Sequence, residues 1–300
     1  MVRDFFKNHK KLALIIGVPL VLIVALAAFV LWPTVEAVKP SVLESYEGDV
    51  RILRDGQYVK PSAGMKLGLN DKIETQAGNA VVKLYDKAEV VLRSNTKVRI
   101  RSLKKDDLKI EQIIGNTWNK FTKTMQTDSY QVETPNTVAS VRGTEYKVTV
   151  FENGSESVSV AEGEVNVKTD KDETLLQKHE KANIGKEKRI EKSKVSEKEL
   201  NDLLEVKKAR VNRLKQDRLD IVNRNTVLLK IAETTHGFSK QEILQYFEKM
   251  DSGEVNGDEV LDKAISKAPV KKAELRKIKD INKVIRNEKS EINEIQSQLK

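Results

Sequence analysis

The hydrophobic pattern of the chain changes its rhythm twice. From Leu12 to Trp32 it reads LALIIGVPLVLIVALAAFVLW, twenty-one residues without a charge or an amide. At ~1.5 Å per residue a helix over this run is about 31 Å long, matching a hydrocarbon layer of ~30 Å. Gly17 and Pro19 are tolerated in such a helix, and Trp32 falls where an indole prefers the headgroup region. Arg3, Lys7, Lys10 and Lys11 stand against Asp4 before the run, whereas Lys39 faces Glu36, Glu44 and Glu47 after it. The basic flank stays in the cytoplasm. The pattern predicts a cytoplasmic basic segment (1–11), a single-pass signal-anchor helix (12–32) and a linker (33–47), with the bulk of the chain extracytoplasmic at the cell membrane. The rival is a signal peptide cleaved after VEA, before Val38, which would release a secreted protein. The apolar run exceeds the ~7–15 residues of a secretory core and favours the anchor.

After Pro40 the period becomes two. DVRILRDGQYV is two short runs about Asp55-Gly56, a dipeptide suited to a tight hairpin. TKVRIRS alternates strictly, with Val98 and Ile100 on one side and Lys97, Arg99 and Arg101 on the wet side. YKVTVFENGSESVSVAEGEVNV gives three runs separated by Asn153-Gly154 and Glu162-Gly163, which reads as an antiparallel meander. Turn signals recur every ~8–12 residues, the spacing of a sandwich or barrel rather than of βαβ units. These features set a β-domain over residues 48–185 and a charged linker over 186–195.

Beyond Ile190 the period turns helical. Ser196 with Glu199, Ser239 with Glu242 and Asn256 with Glu259 each place a cap three residues before a carboxylate, with apolar staples around it. Pro269 fits a fourth helix start. A first helix from Ser196 to about Glu233 carries Leu200, Leu204, Val211, Leu214, Ile221 and Leu228, interrupted by Lys207, Arg218 and Asn225. A last helix from about Pro269 to Leu299 carries Leu275, Ile278, Ile281, Ile285, Ile292, Ile295 and Leu299. The expectation for 196–300 is a helical bundle whose stripes meet each other, separable from the β-domain. An intermolecular coiled coil, and so self-association through these helices, is the alternative. The fold class expected is α+β multidomain: transmembrane helix, all-β sandwich, helical module.

Composition narrows the chemistry. Lysine and arginine number 54 against 45 acids, net +9, but the charges are interspersed, so nucleic acid is not an expected partner. No cysteine is present, which excludes disulfides, thiolate zinc sites and thiol nucleophiles. His9, His179 and His236 are scattered, no phosphate-binding loop or nucleophile elbow occurs, and DSGEVNGDEVLD (251–262) places Gly253, Val255 and Asn256 where a calcium loop needs other residues. No catalytic residue, metal site or cofactor is expected, and the chain does not read as an enzyme.

One stretch is more specific. VETPNTVASVRGTEYKVTV (132–150), together with Ala63–Ile100, IGNTWNKF (114–121) and VSVAEGEVNV (158–167), resembles the FecR domain. That extracytoplasmic domain was first associated with the regulator of ferric-citrate uptake. The family pattern has an L-x-x-G-D-x-I-x-T turn, a TP…VRGT-x-F element and a closing V-x-x-G-x-V-x-V. Here Asn70-Asp71 and Asp86-Lys87-Ala88 depart from its turns. The resemblance implies a jelly-roll-like β-sandwich, and it marks Pro135, Arg142, Gly143 and Thr144 as binding candidates. Arg142-Gly143-Thr144 reads either as a structural corner or as a ligand-facing arginine. The leading functional reading is a membrane-anchored bacterial protein presenting this domain for recognition or signal sensing. The resemblance also implies a regulator of an extracytoplasmic-function sigma factor, and a structural envelope protein binding polysaccharide or wall polymer is a third reading. Expected partners are the lipid bilayer and a protein of the cell envelope.

Overall fold

The computed structural model describes residues 40–122, 129–141, 143–226, 229–230, 233–234, 239–267 and 272–299. The expected span from Leu12 to Trp32, Arg142 and Pro269 lie outside the described residues, within which no helix is long and apolar enough to cross a membrane. Pro40–Lys300 forms one compact unit.

Fifteen strands share one hydrogen-bonded sheet among the described residues. Three are long: β1 (Val42–Arg54), β4 (Lys72–Leu84) and β7 (Asp107–Phe121). Each gives one half to each of two strand rows. In the first row, residues 50–53 of β1 pair with 72–75 of β4, which pair with β6 (Thr96–Lys104), which pairs with the first half of β7. The row continues through β8 (Ser129–Glu133), parallel to β7, to β9 (Val138–Val141), β12 (Val165–Lys168) and β13 (Glu173–Leu176). In the second row the other half of β1 pairs with the other half of β4, and β5 (Ala88–Leu92) lies between β4 and β7. Beyond β7 follow β10 (Thr144–Val150), β11 (Glu156–Glu162), β14 (Glu180–Ile184) and β15 (Ile190–Lys194). Short β2 (Gln57–Val59) and β3 (Met65–Lys66) pair with β1.

Both rows bury their alternate residues in one apolar cluster, with Ile52, Ile100, Ile110 and Val132 from the first and Leu43, Tyr146, Val148 and Val158 from the second. In β6 this is the half-buried alternation that TKVRIRS showed, whereas β10 and β11 are buried on both faces. At the change of row in β7, Gly115 has φ +94°, and a Cβ there would lie 2.4 Å from Thr96 Oγ1 and 2.5 Å from Asn95 O. Only glycine fits that crossing.

Several expectations need correction. The segment 42–47 is strand, not linker, because Leu43 is fully buried and pairs with β4. Residues 190–194, expected to be linker, form β15; their side chains are largely exposed, so the apolar pattern gives no strand signal while the backbone still completes the ladder on β14. The meander expected over 146–167 is broken. β10 pairs with β11, but β12 leaves for the first row and pairs with β9 and β13. By contrast Asp55 and Gly56 both have positive φ, as a tight hairpin requires. At the departure from the family turn, Asn70 takes φ +67°, a conformation asparagine tolerates. Its neighbour Asp71 keeps the turn by accepting from Gly68 N at 2.8 Å and from Arg54 Nε at 2.9 Å.

Among the described residues four continuous helices follow: α1 (Glu197–Arg224), α2 (Lys240–Ser252), α3 (Gly257–Lys267) and α4 (Lys272–Gln298). Ser196 and Ser239 form the expected capping boxes with Glu199 and Glu242, and Asn256 Oδ1 accepts from Asp258 N at 3.2 Å. α1 is interrupted after Arg224, where Asn225 leaves the helical conformation and its Nδ2 donates to Ile221 O at 2.7 Å. The described residues beyond it toward Glu233, 226, 229–230 and 233–234, are again helical. The helices do not stand apart from the strands. Leu203, Leu204 and Val206 of α1 and Ile295 of α4 join Val81, Val91, Trp118 and Ala161 in a second apolar cluster. A third, built from Val222, Phe247, Met250, Leu261 and Ile278, holds the four helices together farther along.

Candidate functional site at the helix and sheet seam

The second strand row is buried on both faces near its centre. Strand β10 is buried at six of its seven positions, because one side faces the core and the other lies beneath the helices. Polar groups on that outer side therefore need partners within the protein. Ser159 of β11 donates to Glu199 Oε1 of α1 at 2.8 Å, and two larger groupings lie beside it.

The first is Asp202 on α1. Trp118 Nε1 of β7 donates to Asp202 Oδ2 at 2.7 Å, Lys147 Nζ of β10 donates to the same oxygen at 2.7 Å, and Arg93 Nε donates to Oδ1 at 3.0 Å. Lys147 also stands 5.6 Å from the Trp118 ring centre. Burial alone would raise the Asp202 pKa; the bonds from Lys147 and Arg93 outweigh it and hold the carboxyl below its ordinary range.

The second is a buried network of four acids and four bases. Lys207 of α1, 2% exposed, donates to Glu145 Oε2 of β10 at 2.6 Å and to Glu288 Oε2 of α4 at 3.3 Å, and also bonds Glu291. Arg210 donates to Glu145 Oε1 at 2.8 Å and, through Nε, to Glu89 of β5 at 2.8 Å. Lys120 reaches Glu288 at 2.5 Å, and Arg213 reaches Glu89 at 2.9 Å. Burial pushes the Glu89 pKa upward, but Arg210 and Arg213 overcome it and bring it down to about 2. Glu145 is likewise driven well below the carboxylate range, against its burial, by Arg210, Lys120 and Lys207. Lys207 is raised above the ordinary lysine value by Glu145 and Glu288, again against burial.

The oxygens of Glu145, Glu288 and Glu291 lie within 4.8 Å of one another, close enough to hold a cation. The Lys207 ammonium already supplies that charge. Shifts in these directions keep Glu89 and Glu145 ionised and Lys207 charged at neutral pH. Such groups hold their protons away from the range that general acid–base chemistry requires. The arrangement acts as a latch that fixes the register of the helices on the sheet. Where the seam opens, a cleft of about 230 Å³ is lined by Lys83, Tyr85, Lys87, Leu214 and Val284 among others.

The motif residues lie elsewhere. Pro135 is exposed in the turn between β8 and β9, which Thr134 closes by donating to Thr137 O at 2.8 Å. Buried Glu156 braces this turn, accepting from Thr134 Oγ1 at 2.5 Å and Asn136 N at 2.9 Å. Gly143 and Thr144 sit at the other end of β9. Gly143 has φ +73°, and a Cβ on Gly163 would lie 2.7 Å from its carbonyl oxygen. Thr144, nearly fully buried, donates to Glu164 O at 2.9 Å. The corner thus ties the start of β10 to the crossover from β11 to β12. Pro135 and Gly143-Thr144 are not brought together. The latch residues carried one sequence signal: Lys207 and Arg218 interrupt an apolar helical stripe. Arg218 is also a buried hub, donating to Asn282 at 2.7 Å and to Asp251 at 2.9 Å, 4.3 Å from the Phe247 ring centre.

Comparison with known proteins places a family on part of this architecture. Residues 71–166 match the family described as FecR protein, from the start of β4 to β12. No curated protein matches the chain. Two crystal structures, each described as a putative anti-sigma factor from Parabacteroides distasonis ATCC 8503, are similar at 21% identity and a TM-score of 0.38. The match covers 41% of this chain and 59% of those chains.

Proposed function

From a FecR domain at residues 71–166, we propose that this chain is a regulatory protein that senses a partner or signal outside the cytoplasm and controls an extracytoplasmic-function sigma factor. The observation that carries the reading is the family match itself, whose strands supply both rows of the β core. The two rows enclosing one apolar cluster support the jelly-roll-like sandwich that the family implies. The regulatory reading is preferred over a catalytic one because the buried carboxylates of the seam are held charged by lysine and arginine partners. Membrane anchoring through Leu12–Trp32, with the remainder extracytoplasmic, completes the proposal and rests on the length of that apolar run and its flanking charges.

The test is transcription in the native host. Deleting the chain should shift output from promoters of one extracytoplasmic-function sigma factor, and restoring the full chain should reverse the shift. Unchanged output from every such sigma factor would refute the regulatory reading. Topology is tested separately: protease added to intact spheroplasts should digest the chain beyond Trp32, and protection of the β-domain would overturn the orientation.

A further inference from the structure

The outer face of α4 carries a pattern that the fold does not use. Lys272, Arg276, Lys279, Lys283 and Arg286 follow one another at spacings of four, three, four and three residues. At about 100° per residue they fall within roughly 80° of arc, a straight row of about 21 Å whose centre stands roughly 110° around the helix from buried Ile278, Asn282 and Ile285. Two members are neutralised by the preceding helix, α3: Lys279 pairs with Asp262 at 2.5 Å and Arg286 with Asp258 at 2.6 Å. Lys272, Arg276 and Lys283 are exposed and have no carboxylate in ion-pair reach among the described residues. Glu274 and Asp280 are the acids of this half of the helix, and both lie off the row.

This row opposes local stability. Lys272 and Arg276 occupy the first turns of α4, where the helix dipole favours acids, and like charges three and four residues apart repel. Local conflict of this kind marks a surface selected for contact rather than for folding. The row holds no large apolar side chain; Val284, 40% exposed, stands away from it toward the cleft. The partner it fits is therefore anionic and extended, and meets the row by charge alone.

We propose that this face of α4 docks on an anionic lipid surface. The proposal rests on the anchor reading of residues 12–32. At roughly fivefold each, three free cations give the untethered fragment a partition coefficient on the order of a hundred per molar, measurable at ~10 mM lipid and low salt. Tethering to the bilayer turns this weak attraction into standing contact. A single acidic helix in solution would gain only exposed ion pairs, each worth little. A planar array of headgroups meets the three free cations, which share roughly 40° of arc, at once.

The probe is sedimentation of residues 40–300, which hold their own complete core, with vesicles of phosphatidylglycerol mixed into phosphatidylcholine and with phosphatidylcholine alone. Binding should require the anionic lipid and weaken as salt is raised. At roughly fivefold per cation, K272Q/R276Q/K283Q should lower the partition coefficient roughly a hundredfold. The charge-matched variant K168Q/K171Q/R224Q should leave it unchanged. The stripe variant should melt no lower than the parent, which separates lost docking from lost folding. Equal binding by both variants, or no binding to anionic vesicles by folded parent, would overturn the proposal. Binding to a helical polyglutamate peptide without binding to vesicles would also overturn it and assign an acidic protein partner. The spheroplast assay reads the anchor independently, so failure of the anchor and failure of the docking face are distinct results.

Discussion

Replacing Lys207 by methionine tests the latch at its centre. The side chain is 2% exposed, and its ammonium bonds Glu145, Glu288 and Glu291, two of them fully or almost fully buried. Methionine keeps the stem and removes only the charge. Arg210, Arg213 and Lys120 remain, so four carboxylates would then face three bases. Removing one partner of a buried pair typically costs about 3–5 kcal/mol, because it leaves an uncompensated charge in a poorly solvating site. Relief at the more exposed Glu291 places the expectation at the lower end, about 3 kcal/mol. Denaturant unfolding of residues 40–300 measures it, with Trp118 as the reporter, since Trp32 is absent from that span. The double variant K207M/E288Q should recover part of the loss, because charge balance returns. A loss below about 1 kcal/mol, or a double variant that is simply the sum of the two singles, would refute the claim that a coupled buried network fixes the helices.

Asp202→Ala should cost about 1–3 kcal/mol and change Trp118 emission, since the indole N–H loses its acceptor; unchanged emission would mean that the Trp118–Asp202 bond does not form in solution. Gly115→Val should destabilise by more than about 2 kcal/mol, combining positive φ with a Cβ clash against Thr96, and an unchanged melting temperature would refute the crossing as described. The pH dependence follows from the direction of each shift. Glu89 and Glu145 are lowered in the folded state, so their contribution is present above their unfolded value near 4.5 and lost as pH falls toward the folded value, about 2 for Glu89. Lys207 is raised, so its contribution is present below about 10.5 and lost as pH climbs through its folded value. Urea midpoints should thus be level from about pH 5 to pH 10 on account of these groups. Burial lowers His179 from its free value of 6.5, so that imidazole itself loses stability as pH falls through 6.5. With His179→Asn in place, a midpoint that still falls between about pH 8 and pH 6 would contradict the assignment.

Local features of this protein were readable from the chain alone. Period-two alternation marked the strands about Val98, Val148 and Val158, because the core face of each takes apolar residues; that β10 and β11 are buried on their other face too came only with the helices. Ser196 and Ser239 announced helix starts, because a capping box is closed within three residues. The corner at Gly143-Thr144 was visible through its motif, although its tie to Glu164 was not. The long-range pairings came only with the tertiary structure. Trp118 meets Asp202 from 84 residues away, Lys207 meets Glu145 across 62 and Glu288 across 81, and no periodicity links such positions. Lys207 and Arg218 appeared in the sequence as flaws in an apolar stripe. A charge on such a stripe implies a buried partner, but which carboxylate supplies it depends on where the sheet and α4 arrive. The same limit hid β15, whose side chains face water while its backbone completes a ladder. Pattern reports burial of side chains; pairing of backbones and compensation of buried charge are decided by elements distant in sequence that the fold brings within ~3 Å.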